Sequence, residues 1–391
     1  MMKPEPSIHR ARYETFGGIV SSISPPFLAW VDKDFMIELG YEDSPLWKQE
    51  RNYLSAPTEV HFSVTNQCGQ GCEGCYMDSG KAGDEELSTD ALKTHFKTLR
   101  DMGVFHVALG GGEAFNRPDF REIVSWCKEI GLVPNLTCSG QIMSEDDISI
   151  CKMMGQVNIS LDGINEHYTI NGRKGDFKKA DQAISALVKA GVQTGINCVV
   201  SGKNYPFLEE LVKYASQKKL NEVEFLRYKP SGRGKTQYAD YRLTQNMMKE
   251  FYPRLLDFSR KYKQEVKMDC SFIPSLVWHK PPLEELEKLA VVGCDGGNML
   301  MSVKSNGLYA GCSFVENNEH IADIKEHWDS SVHFNKFRSL TKEAEEPCRS
   351  CDYLEICRCG CRAVALHATK DFFAPDPECP KVYNYHHKIL E

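Results

Sequence analysis

The chain has 391 residues, of which 41% are hydrophobic and 10% aromatic, and this composition indicates a globular protein of about two or three domains rather than a disordered one. A formal net charge of −7 offers no basic field to a nucleic-acid backbone, so we expect no nucleic-acid partner. Because the N-terminus lacks the apolar core of a signal peptide and no run of about eighteen apolar residues occurs, we expect a cytoplasmic protein without a membrane partner.

The predicted elements begin in residues 1–57, where the segment PPFLAWVDKDF favours an extended strand or a hairpin. From residue 58 to 265, alternating apolar and polar residues predict strands, and apolar residues at helical spacing predict helices between them. The predicted strands cover 58–64, 104–110, 133–139, 157–162, 192–200 and 222–229. The predicted helices begin at Ser88 or Thr89 and then cover 119–130, 145–154, 176–190 and 206–219.

Six strands that alternate with helices favour an α/β fold, a parallel sheet curled into a partial (β/α)6, TIM-like barrel whose ligands gather at the C-terminal ends of the strands. The alternation stops near Gln264. Residues 266–391 are rich in Cys, Gly and Pro, with short helical stretches such as Ile324 to Leu340. This composition predicts a small domain held by metal more than by a hydrophobic core.

Sixteen cysteines in a reducing compartment are not readily explained as disulfides. Cys68, Cys72 and Cys75 lie in VTNQCGQGCEGCYMDSG, directly after the first predicted barrel strand, and eight more cysteines fall between Cys294 and Cys379. The CxxxCxxC triplet suits three irons of a cubane [4Fe–4S] cluster, and the missing fourth protein ligand leaves one iron open for reaction. A zinc loop or a chance spacing is the alternative for the triplet alone.

A second motif, ALGGGEAF, ends the next predicted strand and places Gly111, Gly112 and Glu113 on the same rim as the triplet. Together the two motifs resemble the core signature of the radical S-adenosylmethionine (SAM) enzymes. The resemblance implies that the three cysteines bind a [4Fe–4S] cluster whose open iron chelates SAM, while the Gly-Gly-Glu region holds the methionine ammonium. It also implies reductive cleavage of SAM to a 5′-deoxyadenosyl radical, with an electron donor of flavodoxin or ferredoxin type.

Other positions fit the same resemblance. Ser160 in NISLDG and Arg173 in NGRKGDF would contact the SAM carboxylate or ribose, and Ser139 in TCSG would supply a small polar group near the ligand. Many members carry an aromatic residue just before the third cysteine to cover the adenine. Here Gly74 holds that place and Tyr76 follows the cysteine, so the resemblance leaves adenine stacking to Tyr76.

The C-terminal cysteines match the spacing of the SPASM domain of radical SAM enzymes, against the alternative of a paired zinc ribbon. By similarity, Cys294, Cys312 and Cys361 would hold a first auxiliary [4Fe–4S] cluster, with Cys270 or Cys359 as a candidate fourth ligand. Without either, that cluster has an open iron suited to a substrate thiolate. The second auxiliary cluster, the third in the chain, would take Cys348, Cys351, Cys357 and Cys379.

The resemblance thus implies three domains: an N-terminal extension at 1–57, a radical SAM barrel at 58–265 and a SPASM domain at 266–391. Residues 1–57 are short for a complete leader-recognition domain. They are interpreted as a partial peptide-recognition element, as a strand pair added to the barrel, or as a segment that leaves leader binding to a separate protein.

SPASM domains occur in enzymes that mature peptides, so the expected activity is oxidation of a ribosomally made peptide with a leader, giving a thioether or carbon–carbon crosslink or a dehydrogenation. Auxiliary clusters would accept the electron that such an oxidation releases. The alternatives are a small-molecule dehydrogenase or cofactor-biosynthesis enzyme, formylglycine formation as in sulfatase maturation, and a non-catalytic electron carrier. Sulfatase-maturing enzymes carry Asp where this chain has Ser313, which counts against that activity. Asp269, Glu316 and Tyr228 are candidate substrate bases.

Overall fold

The computed structural model describes residues 8–23, 26–83, 85–320 and 323–388. Its N-terminal part is a three-stranded antiparallel sheet of β1 (Ile8–Glu14), β2 (Gly17–Ile23) and β3 (Pro26–Asp32), followed by helix α1 (Lys33–Glu38). The extended element predicted in PPFLAWVDKDF is therefore confirmed. These strands form a sheet of their own, so the interpretation that they add a strand pair to the barrel was wrong.

The main sheet has nine strands in the order β10-β9-β8-β7-β6-β5-β4-β11-β12. Its central six strands are parallel and correspond to the six predicted ones. They are β4 (Glu59–Thr65), β5 (His106–Gly111), β6 (Val133–Cys138), β7 (Val157–Ser160), β8 (Thr194–Val200) and β9 (Val223–Arg227). The predicted α/β class with a parallel, barrel-like sheet is confirmed.

Three short strands from beyond the predicted barrel boundary extend this sheet at both edges. Strand β10 (Val266–Met268) pairs in parallel with β9, and β11 (Leu300–Val303) pairs in parallel with β4. Strand β12 (Tyr309–Ala310) then pairs antiparallel with β11. Strands therefore continue beyond Gln264, where the predicted alternation of strands and helices stops. Backbone hydrogen bonds of these added strands join the C-terminal region to the barrel.

The helices pack outside the sheet. The barrel carries α2 (Thr89–Met102), α3 (Phe120–Glu129), α4 (Glu145–Cys151), α5 (Phe177–Lys189), α6 (Leu208–Lys218), α7 (Tyr238–Tyr241) and α8 (Gln245–Tyr262). Side-chain caps fix several starts: the Ser88 hydroxyl accepts from the Ala91 N–H at the start of α2, and Ser144 and Asp147 form a capping box at α4. Fully buried side chains such as Phe62 and Phe96 fill the layer between strands and helices.

The C-terminal region contains α9 (Ile273–Trp278), α10 (Leu283–Lys288), α11 (Ile324–Ser330), α12 (Val332–Arg338), α13 (Leu354–Cys357), α14 (Arg362–Thr369) and α15 (Pro380–His387). The single helical stretch predicted from Ile324 to Leu340 is two helices. At Ser331 the backbone turns to ψ 124°, and the Ser331 hydroxyl caps α12 by accepting from the Phe334 N–H. Buried Trp328 and Phe334 join the barrel's apolar core, so this region packs hydrophobically as well as through its cysteines.

Because side chains alternate along a strand, the face opposite the helices points into the barrel. There the structure has an open cavity of about 1040 Å³, called the lumen cavity below. Cys68, Cys72 and Cys75 line it at the C-terminal strand ends, and Ser21 and Leu28 of the N-terminal sheet line it at the base. The N-terminal sheet therefore covers the base of the barrel.

Two arginines fix the N-terminal sheet in that position. The Arg12 guanidinium donates to the Gly103 carbonyl at 3.0 Å, and that of Arg10 donates to the carbonyls of Val104 and Gly131 at 3.0 and 3.1 Å. These carbonyls lie in the connections that lead into β5 and β6. Across the described ranges, no helix combines the length and apolarity needed to cross a bilayer.

Candidate active site

The triplet lies in the cysteine loop, defined here as residues 66–80, which directly follows β4. The loop closes on itself, since the Cys68 N–H donates to the Gly80 carbonyl at 2.7 Å and the Gly80 N–H donates to the Asn66 carbonyl at 3.1 Å. All three thiols are half-buried on the wall of the lumen cavity. This arrangement brings the three predicted cluster ligands together at one end of the barrel.

Backbone N–H groups point at the sulfurs of the triplet. The Ser79 N–H donates to Cys75 Sγ at 3.4 Å and the Lys174 N–H donates to Cys72 Sγ at 3.3 Å. Such N–H···S contacts stabilise negative charge on thiolates and on the cluster they hold. The donor set, three thiols with amide support and no fourth cysteine on the loop, fits a [4Fe–4S] cluster with one open iron.

The predicted glycines Gly111 and Gly112 allow β5 to approach the cysteine loop. Gly111 has φ +126°, and a Cβ there would lie 2.2 Å from the Thr65 carbonyl oxygen. A Cβ on Gly112 would lie 2.3 Å from the Gln67 carbonyl oxygen. The close approach lets the Glu113 N–H donate to the Gln67 carbonyl at 2.8 Å. The two glycines thereby determine how closely the loop that carries the three cysteines approaches β5.

Glu113 lies just behind the cavity wall and is 3% exposed. Its Oε2 accepts from the N–H and the hydroxyl of Ser139, at 3.0 and 2.5 Å, whereas its buried Oε1 has no hydrogen-bond partner. Burial raises the pKa of Glu113, and the Ser139 hydrogen bonds oppose that rise. An unpartnered buried carboxylate oxygen beside the cysteine loop suits an ammonium group, the part of SAM that the sequence assigned to it.

Arg173 and Ser160 lie on the same cavity wall. Arg173 donates through Nε and Nη2 to Asp162 Oδ2, at 3.2 and 3.1 Å, and Asp162 Oδ1 accepts from the Val199 N–H at 2.9 Å. Asp162 thus holds the side chain of Arg173 at the cavity wall. The next residue along the chain, Lys174, donates its backbone N–H to Cys72 Sγ. Sequence reasoning quoted Asp162 within NISLDG without giving it this role.

Tyr76 faces the cavity with 38% of its surface exposed. Its ring packs against that of Phe314, with centroids 4.9 Å apart and planes at 41°. Phe314 belongs to the C-terminal region, two residues after Cys312. The predicted adenine-stacking residue therefore lies where the cysteine loop meets that region.

Arg233 clamps the cysteine loop and was missed by sequence reasoning. Its Nε donates to the Cys72 carbonyl at 3.1 Å, its Nη1 donates to Asp78 Oδ1 at 2.7 Å, and its N–H donates to the Cys75 carbonyl at 3.0 Å. The available signal was its position: PSGRGK follows the last barrel strand, on the rim where ligands gather. This clamp ties the loop across the barrel mouth.

The C-terminal cysteines form two groups. In the first cysteine group (Cys270, Cys294, Cys312, Cys361), burial raises the pKa of Cys312, and the nearby thiols of Cys294 and Cys361 raise it further. Burial likewise raises the pKa of Cys270, with Asp295, Asp269 and Cys294 adding to the rise. Cys270 therefore lies in the electrostatic reach of Cys294, despite their separation in sequence.

The second cysteine group comprises Cys348, Cys351, Cys357, Cys359 and Cys379. The Cys359 thiol contacts that of Cys348, and this contact, with burial and the thiols of Cys357 and Cys379, raises the pKa of Cys348. Burial raises the pKa of Cys379 to about 12, with Cys351 contributing. Of the two candidates for the fourth ligand of the first cluster, Cys270 lies beside that cluster's cysteines and Cys359 lies beside the other set.

Within the part of the chain that the structure describes, no three Cys, His, Asp or Glu side chains converge as they would around a single metal ion. The three candidate substrate bases all have partners. Asp269 pairs with Lys229, the carboxylate of Glu316 pairs with Lys235 at 2.6 Å, and the Tyr228 hydroxyl donates to the Gly234 carbonyl at 3.2 Å.

Lys229 is a further cavity residue that the sequence did not single out. Its ammonium lies 4.5 Å from the Phe314 ring centroid and interacts with the thiols of Cys361 and Cys270. It places a positive charge between the lumen cavity and the first cysteine group, where it favours thiolates.

The family follows from comparison with known proteins. Residues 62–215 match the model of the Radical SAM superfamily. This part of the chain is therefore identified as a radical SAM domain. The cysteine pattern that follows residue 265 resembles that of the SPASM domain.

Two curated relatives align along most of the chain. Mycofactocin maturase MftC of Mycobacterium tuberculosis is 29% identical over 345 residues, 85% of each chain. The AdoMet-dependent heme synthase of Methanosarcina barkeri is 27% identical over 351 residues, 83% of this chain and 97% of the relative. Among solved structures, SuiB of Streptococcus suis bound to precursor peptide SuiA superposes with a TM-score of 0.78 at 17% identity, covering 96% of this chain and 99% of SuiB. At that identity the superposition supports the fold.

Proposed function

We propose that this enzyme uses SAM to oxidise a ribosomally made peptide, introducing a thioether or carbon–carbon crosslink or a dehydrogenation. The observation that carries the proposal is the alignment with mycofactocin maturase MftC over 85% of both chains, together with that of a PqqA peptide cyclase over 83% of this chain. The superposition on a fold that binds a precursor peptide in its crystal structure supports it. We further propose that the peptide carries a leader and that a flavodoxin- or ferredoxin-type protein supplies electrons.

In this proposal the chain's residues bind and orient SAM. Cys68, Cys72 and Cys75 hold the cluster, and Glu113 Oε1 receives the methionine ammonium. Arg173 and Ser160 contact the carboxylate or ribose, and Tyr76 covers the adenine, with its ring steadied by Phe314. When bound, SAM and the cluster supply a 5′-deoxyadenosyl radical that takes a hydrogen atom from the substrate.

We also propose three [4Fe–4S] clusters, with Cys270 as the fourth ligand of the first auxiliary one. The electrostatic contact of Cys270 with Cys294 supports this assignment, and the contact of Cys359 with Cys348 argues against Cys359. Four cysteines complete the first auxiliary cluster, so it needs no substrate thiolate. Such a cluster serves to accept an electron from the oxidised substrate rather than to bind its sulfur.

A second candidate function is oxidation of a small molecule, favoured by the heme synthase that aligns over 97% of its own length. Formylglycine formation is less well supported, because Ser313 replaces the Asp expected after Cys312.

The test is anaerobic co-expression with each short open reading frame that adjoins the gene, followed by intact-mass measurement of each peptide. The expected result is one peptide that loses the mass of two hydrogens, and fragmentation then locates the new bond. Cys68→Ala should abolish this change, because it removes a ligand of the SAM-binding cluster. Cys127→Ala, which removes a thiol from the core at α3, serves as the matched control and should retain it.

A wild-type enzyme that cleaves SAM while no peptide changes mass would contradict the peptide proposal. The small-molecule candidate would then take its place, and cell extracts fractionated by size would be screened for 5′-deoxyadenosine release above the substrate-free rate.

A further inference from the structure

Three side chains form a hydrogen-bonded series on the wall of the lumen cavity. The Ser313 hydroxyl oxygen lies 3.3 Å from His61 Nδ1, and His61 Nε2 lies 3.3 Å from Glu59 Oε1. All three residues line the same cavity as the cysteine loop. A hydroxyl, an imidazole and a carboxylate in this order are suited to moving a proton away from a substrate.

The fold brings these residues together from two distant parts of the chain. Glu59 and His61 are two residues apart on β4, so both face the barrel interior. Strand β11 pairs with β4, with Ser302 opposite His61, and β12 then leads into Cys312 and Ser313. The pairing of β11 with β4 therefore sets Ser313 over the imidazole.

The surroundings of His61 favour its acceptance of a proton. Burial alone would lower the pKa of His61, but Glu59 on its own strand, Asp295 ahead of β11 and Glu224 on β9 outweigh burial and raise it. On β5, His106 faces Glu59 and helps to keep that carboxylate ionised. The side chains of His61 and Glu59 are 40% and 33% exposed, so the lumen cavity gives the series a route to water.

We propose that His61, linked to the substrate by the Ser313 hydroxyl, accepts the proton that the substrate loses during its oxidation. This inference rests on the proposed function, in which a substrate is oxidised by two electrons. It assigns the role of proton acceptor to His61, because the three candidate bases from the sequence, Asp269, Glu316 and Tyr228, already have ion-pair or hydrogen-bond partners.

Oxidation by two electrons removes one hydrogen atom, one electron and one proton. The hydrogen atom would leave as part of 5′-deoxyadenosine, and an auxiliary iron–sulfur cluster held by the C-terminal cysteines would accept the electron. The proton passes to Ser313 Oγ as the Ser313 hydroxyl proton passes to His61 Nδ1. The Nε2–H of the resulting imidazolium faces Glu59, whose carboxylate compensates its charge.

The first measurement needs no substrate. Deuterium exchange at the imidazole Cε1, read by mass spectrometry on the holoenzyme, gives the pKa of each histidine separately. We expect the pKa of His61 to lie above its usual value and to fall by about one unit in Glu59→Gln, because the compensating charge is lost. His95, on α2 outside the barrel, should titrate identically in both proteins. A His61 that titrates at or below its usual pKa, or that ignores Glu59→Gln, would overturn the inference.

The second measurement uses the peptide found in the co-expression test and counts 5′-deoxyadenosine released per oxidised peptide. In Ser313→Ala and His61→Gln, we expect this ratio to rise about 100-fold, because hydrogen abstraction is no longer followed by deprotonation. Wild-type oxidation should increase as pH rises through the pKa of His61, since only the neutral imidazole accepts a proton. In Glu59→Gln this rise should move to lower pH. His95→Gln is the control with the wild-type ratio.

A double variant separates proton transfer from a structural role. Ser313→Asp combined with His61→Gln provides a carboxylate at residue 313 and should restore oxidation that His61→Gln alone lacks. The inference would be overturned if the double variant fails to restore oxidation. It would also be overturned if 5′-deoxyadenosine and oxidised peptide fall by the same factor in the single variants. If no peptide is modified by the wild-type enzyme, the proposed function fails, and the exchange measurement alone decides on His61.

Discussion

At the scale of single residues, Ser139 holds one oxygen of Glu113 and leaves the other without a partner. A buried carboxylate oxygen without a partner costs free energy, and a cation that reaches it recovers that cost. The site is therefore prepared for the positive end of an amino acid before SAM arrives.

The assignment of Cys270 as a cluster ligand makes a prediction at this scale. The proposed three [4Fe–4S] clusters would give about twelve irons per chain in the wild type, and Cys270→Ser should lower this by up to about four or change the EPR signal of the first auxiliary cluster. Cys359→Ser is the matched control and should retain both, because the second cluster already has four cysteines. Iron analysis and EPR of the reduced proteins check this. Loss of iron in Cys359→Ser with none in Cys270→Ser would reverse the assignment.

Residue positions were predictable from sequence where a fixed spacing encodes them. The triplet and Gly-Gly-Glu were placed on one rim by spacing and strand order, and the structure has them there. Asp162, Arg233 and His61 were not found, because their roles depend on which side chain faces which across strands distant in sequence. His61 shows this well: its partner Ser313 lies 252 positions away.

At the scale of elements, β4 supports most of the site. It carries Glu59 and His61 on its inner face, leads into the cysteine loop, and pairs with β5 on one side and β11 on the other. Strands β10 and β11 were missed because segments of three and four residues show too little alternation to be recognised. Their pairing depends on contacts that no local pattern contains.

This dependence gives a prediction about a shortened chain. A fragment of residues 1–265 lacks β11, so the edge of β4 that precedes the cysteine loop is left unpaired. We expect this fragment to aggregate and to retain little of the iron that its three loop cysteines would hold. Size-exclusion chromatography and iron analysis after anaerobic reconstitution, with the full chain as control, check this. A monomeric fragment that holds about four irons would show that the barrel is independent of β11.

At the scale of the whole molecule, a buried ion cluster joins the barrel to the C-terminal region. Arg227 on β9 pairs with Asp376 at 2.7 Å and lies 3.5 Å from Glu378, and all three side chains are almost fully buried. Asp376 Oδ2 also accepts from the Cys361 N–H at 2.9 Å. The cluster therefore links a barrel strand to a proposed ligand of the first auxiliary cluster.

Removing the cation from this cluster should be costly. Arg227→Met leaves two buried carboxylates without their partner, and we expect a loss of about 3–5 kcal/mol in stability. Lys97→Ala, which breaks the exposed pair with Asp101 on α2, should cost less than about 1 kcal/mol. Thermal unfolding of the anaerobic holoproteins compares the two. Equal midpoints for both variants would show that the buried pair contributes no more than a surface one.

The class of fold and the existence of a cysteine-rich C-terminal part could be predicted from sequence, because periodicity and cysteine spacing are local. The way these parts unite could not. Arg227 and Asp376 are 149 positions apart, and nothing in either neighbourhood indicates that they meet inside the protein.

The N-terminal sheet that covers the base of the barrel bears on how such enzymes diversify. Its strands line the same chamber as the cysteine loop, with Arg10 and Arg12 tied to the barrel's own backbone. Exchange of this segment between relatives would therefore replace the floor of the reaction chamber together with whatever the segment recognises. A recombinant joined at residue 57 would therefore need a barrel whose Val104 and Gly103 carbonyls accept hydrogen bonds from Arg10 and Arg12.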